Sequence, residues 1–286
     1  MPHTQSSSDS RDCGAFFLDV IGQYAPGEIV LLSSTEQRET HPRVEEIIER
    51  TWQEHVALAQ QQGRRLFNGR LARLVCYEPL ERRLELTMGE VSYREFLGTN
   101  LYNAALRYTF GGEILADPLG ASAAIVSEDG YVLMGRRSQQ VAFHAGLIHP
   151  FGGMVELGED GRVVAPYDAV MAEVLEETGL PRERTDSALC LGIVRDKKIV
   201  QPELVFWMKA RADVAEVRKL QAASQDAHEH SELIAIRSDS TSVVDFIKKH
   251  YAEMTPVATA TLLLHGQYVW GSGWFTAARG YLRKVI

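Results

Sequence analysis

Gly-Gly-Met-Val-Glu-Leu-Gly-Glu at residues 152–159 and Glu-Val-Leu-Glu-Glu-Thr-Gly-Leu at residues 173–180 are the two stretches that decide how this chain is read. The second closes a helix expected over about Pro166–Thr178. Pro166 suits a first helical turn, Gly179 can take the left-handed cap position, and Pro181 prevents resumption. With Glu173 at zero degrees on a 3.6-residue wheel, Glu176 and Glu177 fall within roughly 60° of it, while Met171, Val174 and Leu175 lie on the other half. Like charges three and four residues apart repel by a few tenths of a kcal/mol per pair. These also sit at the negative end of the helix dipole, where cations are favoured. No Lys or Arg lies between Tyr167 and Leu180. The arrangement is locally unfavourable, and a divalent cation is one way to relieve it. Carboxylate oxygens suit a hard ion, and Mg²⁺ typically shares one or two carboxylates with waters and substrate phosphates.

Joined together, the stretches resemble the Nudix box, G-x5-E-x7-R-E-U-x-E-E-x-G-U, where U is a bulky apolar residue. Gly153, Glu159, Glu173, Glu176, Glu177 and Gly179 occupy the six fixed Gly and Glu positions, each matched by chance at only ~7%. Two departures stand out. Twelve residues (Asp160–Met171) rather than seven separate Glu159 from the second half, and Ala172 stands where the box has Arg. The UDP-glucose pyrophosphatase branch of the Nudix hydrolases has a similarly stretched box that lacks the Arg. The chain also resembles that branch at Ser92–Asn100 (SYREFLGTN), Leu115–Gly120 (LADPLG), Arg136–Val141 (RRSQQV) and Ala227–Glu229 (AHE). The resemblance covers roughly residues 90–270.

It implies a Nudix α/β/α sandwich with a mixed sheet, preceded by a smaller mixed α+β domain. It also implies an Mg²⁺- or Mn²⁺-dependent enzyme that cleaves a UDP-sugar to UMP and a sugar 1-phosphate. Carried across residue by residue, Glu173 and Glu177 match the metal ligands, with Glu159 as the outer box glutamate and the Gly153 carbonyl completing the coordination. Glu176 and Glu229 are the alternatives for the general base. Arg136 and Arg137 are expected to face the diphosphate; Tyr93, Arg94 and Asn100 to contact sugar or uracil; Phe151, with Phe143, to stack a base. His149, His228 and His230 together suggest a metal cluster, but this chemistry calls for oxygen ligands instead. The same box would serve ADP-ribose, NADH or a CoA derivative. A nucleotide-sensing module without catalysis is the other alternative, and retention of all four box glutamates argues against it.

The rest of the 286 residues sets the background. Apolar residues make up 45% and charged residues 24%, enough for a sizeable core and unlike collagen or a disordered chain. Thirty Lys and Arg against 38 Asp and Glu give a net charge of −8, which does not attract nucleic acid by default. Three dispersed cysteines suit a reducing, cytoplasmic setting, and no apolar run approaches the ~18 residues of a membrane span. The partner that the resemblance implies is a small nucleoside diphosphate sugar, and charge and hydropathy give no reason to expect a nucleic acid or membrane. Residues 1–14 read as a disordered tail, 15–114 as the N-terminal domain and 115–286 as the Nudix domain. Strands are expected at Ala15–Leu18, Glu28–Ser33, Leu71–Tyr77, Arg83–Thr87, Ala121–Ser127, Tyr131–Gly135, Leu189–Arg195, Leu204–Lys209 and Leu233–Ile236. Besides the acidic helix, helices are expected around Val44–Val56, Val243–Lys249 and Pro256–Leu264.

Overall fold

The computed structural model describes residues 12–139, 141 and 143–285. In chain order the first half runs β1 (Phe16–Tyr24), β2 (Ile29–Ser33), α1 (Pro42–Gln61), β3 (Arg70–Pro79), β4 (Leu84–Ser92), α2 (Tyr93–Phe96) and α3 (Arg107–Phe110). The second half runs β5 (Gly120–Val126), β6 (Tyr131–Arg137), β7 (Ile148–His149), β8 (Phe151–Met154), α4 (Pro166–Thr178), β9 (Thr185–Asp196), β10 (Pro202–Ala210), α5 (Val214–Gln221), β11 (His230–Arg237), α6 (Ser240–His250) and α7 (Pro256–Val285). Helix α7 breaks at Gly271, whose φ of 87° is outside the helical region.

The larger sheet has the order β1-β9-β10-β5-β6-β11. It is mixed, because β10 and β5 run parallel while the neighbouring pairs are antiparallel. On its other side β5 is shared: Gly120–Ala123 pair with β8, and Ile125–Val126 pair with β6. This split opens the sheet at one end and leaves the Gly152-Gly153 pair on a short strand beside the gap.

Side chains on β5 alternate between two apolar layers, as a strand buried on both faces requires. Ala121, Ala123 and Ile125 pack with Val170, Met171 and Val174 of α4. Ala124 and Val126 pack with Val243 and Ile247 of α6 and with Val257 and Leu262 of α7. The result is helix, sheet, helix: the expected α/β/α sandwich.

A second, three-stranded sheet, β2-β4-β3, is also mixed. Its Leu74, Leu84, Leu86 and Met88 join the same apolar layer as α4. Strand β3 is stitched to the main sheet by hydrogen bonds from Ala72 N–H to Val155 O and from Leu119 N–H to Ala72 O, both 2.8 Å. Strand β1, expected in the N-terminal unit, is instead an edge strand of the larger sheet, paired with β9. Its Phe16 and Leu18 bury themselves in the layer beneath α7, a long-range gain that local sequence does not reveal. Of the tail expected over 1–14, residues 1–11 lie outside the described residues, and Asp12 accepts a hydrogen bond from Lys197 Nζ at 2.6 Å. None of the helices among the described residues is long and apolar enough to cross a membrane.

Candidate active site

Helix α4 has the predicted bounds. Pro166 starts it, and Gly179 ends it with φ 69° while its N–H donates to Leu175 O at 2.8 Å. Its buried strip is not wholly apolar, since Glu177 is only 2% exposed beside Val170 and Val174. Glu177 is buried because β8 carries no side chains where α4 crosses it. A Cβ on Gly152 would meet Ala121 O at 2.2 Å, and one on Gly153 would meet Glu173 Oε1 at 2.0 Å. The two glycines thus form no turn. They let a strand slot between β5 and the acidic face of α4.

Both oxygens of Glu177 have partners. Gly152 N–H donates to Oε2 at 3.0 Å, and His230 Nε2 lies 2.9 Å from Oε1. His230 is buried at the start of β11, edge-on to Phe151 with ring centroids 5.1 Å apart. Gly135 makes room for it, because a Cβ there would fall 2.1 Å from His230 Nδ1. Glu173 has no such support among the described residues. Burial raises its carboxyl to a pKa of about 8, and Glu177, Glu176, Glu229 and Asp226 push in the same direction. Burial and the anions Asp226, Glu177 and Glu229 also raise Glu176 above the ordinary carboxylate range. Four glutamates and an aspartate therefore crowd one end of α4.

Beside them opens a cleft of about 410 Å³ whose walls include Tyr93, Arg137, Gly153, Glu203 and Glu229. Arg137 reaches into it, held by a hydrogen bond from Nε to Phe143 O at 3.0 Å and lying 3.8 Å from Glu229 Oε2. Tyr93 and Phe143 are also on its walls.

Several expected site residues lie elsewhere. Arg136 points to the opposite side of β6, where it pairs with Glu232 at 3.2 Å and Glu253 at 2.9 Å. Adjacent strand residues face opposite ways, so only one of the Arg pair can enter the cleft. Arg94 is engaged by Glu49 at 2.8 Å. Asn100 is fully buried, donating to Asp117 Oδ1 and Ile199 O and accepting from Asp117 N–H; it fastens backbone rather than facing ligand. Phe151 is likewise fully buried and has no face free to stack a base. Glu159 is exposed in the loop after β8. The three histidines are separated in role: His149 meets Thr255 Oγ1 at 2.8 Å, His228 is exposed, and His230 supports Glu177.

The cluster suits a hard divalent cation in chemistry, since its donors are all carboxylate or carbonyl oxygens. The space above Gly153 that a Cβ would fill adjoins Glu173 Oε1. Among the described residues no three His, Cys, Asp or Glu side chains converge as a metal cage. Sequence reasoning missed two residues here. His230 was seen only as part of a histidine triplet, and Glu203, in a plain strand motif (PELVF), carried no signal.

The chain is 30% identical over 221 residues to the mouse uridine diphosphate glucose pyrophosphatase NUDT22, spanning 69% of this chain and 71% of that protein. It is 29% identical over 208 residues to the human protein of the same name (64% and 68%). Nudix hydrolase 9 of Arabidopsis thaliana is 26% identical over 185 residues (56% and 60%). Among solved structures, the MutT protein of Methanosarcina mazei Go1 is 21% identical, covering 52% of this chain and 93% of that one with a TM-score of 0.35. No family model matches the chain.

Proposed function

The chain belongs to the Nudix hydrolases, in their UDP-glucose pyrophosphatase branch, and acts on a diphosphate bond; from that premise we propose that it hydrolyses UDP-sugars such as UDP-glucose or UDP-galactose to UMP and a sugar 1-phosphate with the help of Mg²⁺. The observation that carries this reading is the uncompensated carboxylate cluster at Glu173 beside a cleft that also holds Arg137. Strongly perturbed acids next to a cleft are where catalytic sites concentrate.

Glu173, Glu177 and the Gly153 carbonyl are the groups that would hold the ion, with Glu176 at the margin. A divalent cation there would supply charge neutralisation for the diphosphate and would make water beside it more acidic. Glu177 is aimed before substrate arrives. Its Gly152 and His230 contacts fix the carboxylate's rotamer, in the way that outer partners orient metal ligands. Arg137 binds the diphosphate through its forked N–H groups, and its bond to Phe143 O limits the entropy lost in doing so. Glu229, on the cleft wall, would take a proton from the attacking water; Glu176, at the end of α4, is the other candidate base. The free cysteines Cys13, Cys76 and Cys190 suit a reducing, cytoplasmic compartment.

Product analysis tests the reading. UDP-glucose incubated with the protein should yield UMP and glucose 1-phosphate with Mg²⁺ and not with a chelator. ADP-ribose turned over tenfold faster than any UDP-sugar would move the substrate assignment to another nucleotide.

A further inference from the structure

Glu203 is a buried carboxyl for which the proposed chemistry has no use. It stands near the start of β10, 8% exposed, and its side chain forms part of the cleft wall. In the register of the parallel β10–β5 pair it faces Gly120. A Cβ on Gly120 would lie 3.1 Å from Glu203 Cγ, so the missing side chain is what lets Glu203 lie across β5. No ion pair satisfies it among the described residues. The Ser122 hydroxyl beside it favours the ionised form, yet Ser122 Oγ is itself buried without an aligned partner. Burial lifts the carboxyl to a pKa of about 7, with Asp196 adding to the lift and Ser122 and Arg137 opposing it.

A buried, unpaired carboxyl costs stability, and a structural role would be met better by an apolar side chain or an amide. Its place in the cleft suggests a ligand role, and its charge restricts that role. An acid would repel the diphosphate, which Arg137 serves, so Glu203 must face an uncharged, hydrogen-bond-donating part of the substrate. A uracil ring has a single imide N–H flanked by two carbonyl oxygens that would oppose a carboxylate. A glycosyl ring has several hydroxyl donors with no such conflict, and adjacent hydroxyls can engage both carboxyl oxygens.

We propose that Glu203 is the specificity-determining residue for the sugar end of the substrate, accepting hydrogen bonds from glycosyl hydroxyls at the β10 wall of the cleft. This rests on the UDP-sugar reading given above.

A panel of UDP-glucose analogues, each lacking one sugar hydroxyl, tests it in the wild-type protein and in Glu203→Gln. The wild type should lose roughly tenfold or more in kcat/KM with at least one analogue, as expected when a site built around a hydroxyl meets a substrate without it. Glu203→Gln should lose a similar factor with UDP-glucose itself and treat parent and that analogue alike within about twofold. UDP, which has no sugar, should bind the variant within about threefold of the wild type by calorimetry. A variant that weakens UDP-glucose turnover but discriminates among the analogues as the wild type does would overturn the proposal, because a merely structural role has that signature. So would a wild type indifferent to every missing hydroxyl. Either result leaves UDP-sugar hydrolysis standing, whereas no product from any UDP-sugar overturns both readings. If Glu203→Gln does not fold, Glu203→Asp, which keeps the charge on a shorter arm, should lose the same discrimination.

Discussion

Glu95 and Glu173 are the same side chain at two largely buried positions, and the protein treats them in opposite ways. Burial alone would raise Glu95, but the Ser92 N–H, the Ser92 hydroxyl and Arg38 together hold its carboxyl below the ordinary range. Arg38 spans Glu95 at 2.8 Å and Glu45 at 2.7 Å with 3% of its own side chain exposed. At Glu173 burial works in the same direction as its charged neighbours, and the carboxyl rises to about 8. One region has its charges matched within the chain. The other leaves a surplus of negative charge that no basic side chain among the described residues matches. The difference separates acids matched within the fold from acids left unmatched, which is where catalytic sites concentrate.

The largest effect should come from removing a member of the unmatched set. Glu173→Gln should lower kcat by on the order of 10²–10³-fold, the scale of losing a principal electrostatic stabiliser. It should leave the melting temperature nearly unchanged below pH 8, since the folded chain holds Glu173 protonated there and the amide replaces a neutral carboxyl. Steady-state kinetics and a thermal melt on the same sample check both halves. A sharp loss of stability would mean that Glu173 is matched in a way its surroundings do not reveal.

Arg38→Ala should do the reverse. Truncating one partner of a buried pair leaves the others uncompensated, at a cost of about 3–5 kcal/mol. Urea unfolding should show that loss, while the folded fraction keeps its kcat within about twofold because Arg38 is not among the residues that wall the cleft. If activity falls in step with kcat in Glu173→Gln, the division between the two regions fails.

Proton and cation compete for the unmatched set, which gives a pH signature. Glu173 keeps its proton in the folded chain up to about pH 8 but would release it near its ordinary value when unfolded. The stability this group contributes is thus complete below about pH 4.5 and disappears as pH rises through 8. In chelator the melting temperature should fall across that window by a few degrees, on the order of 1–3 kcal/mol. Mg²⁺ should restore more of it at pH 8 than at pH 5.5. Equal stabilisation at both values would place the ion away from Glu173.

Much of this was legible in the sequence where the signal was local. Helix α4 matched its expected bounds because Pro166 and Gly179 mark both ends through their own backbone chemistry. The acidic cluster was legible because helical spacing alone puts Glu173, Glu176 and Glu177 together. What was not legible depends on partners far along the chain. Glu177 was expected among the metal ligands, but nothing local says that β8 and His230 bury it, and His230 lies 53 positions away. Phe151 looked like a stacking platform beside two glycines, but its strand is sandwiched and its ring is core. Strand β1 joined the larger sheet through β9, a pairing across more than 160 residues that no period-2 pattern specifies. Glu203 gave no hint, because nothing in a strand sequence says which end of the strand borders a cleft.

The neighbouring arginines of β6 bring the matched and unmatched states to adjacent positions, with the smallest expected effect on one side. Arg136 is matched by Glu232 and Glu253, which are 56% and 49% exposed. Solvent-exposed pairs of this kind contribute only about 0–1 kcal/mol, so Arg136→Ala should change the melting temperature by a degree or two and kcat/KM by less than twofold. Arg137 faces the cleft, its side chain 14% exposed and its one ion-pair neighbour among the described residues, Glu229, at 3.8 Å. Arg137→Ala should raise KM for a UDP-sugar by roughly 10–100-fold, the loss of a charge-assisted contact of about 1.5–3 kcal/mol, with stability nearly unchanged. The sequence places these two side chains side by side, and the pleat of β6 sends them to opposite faces. Equal kinetic losses in the two variants would mean that the diphosphate approaches from both sides of β6, which a sheet covered by α6 and α7 on the Arg136 side does not permit.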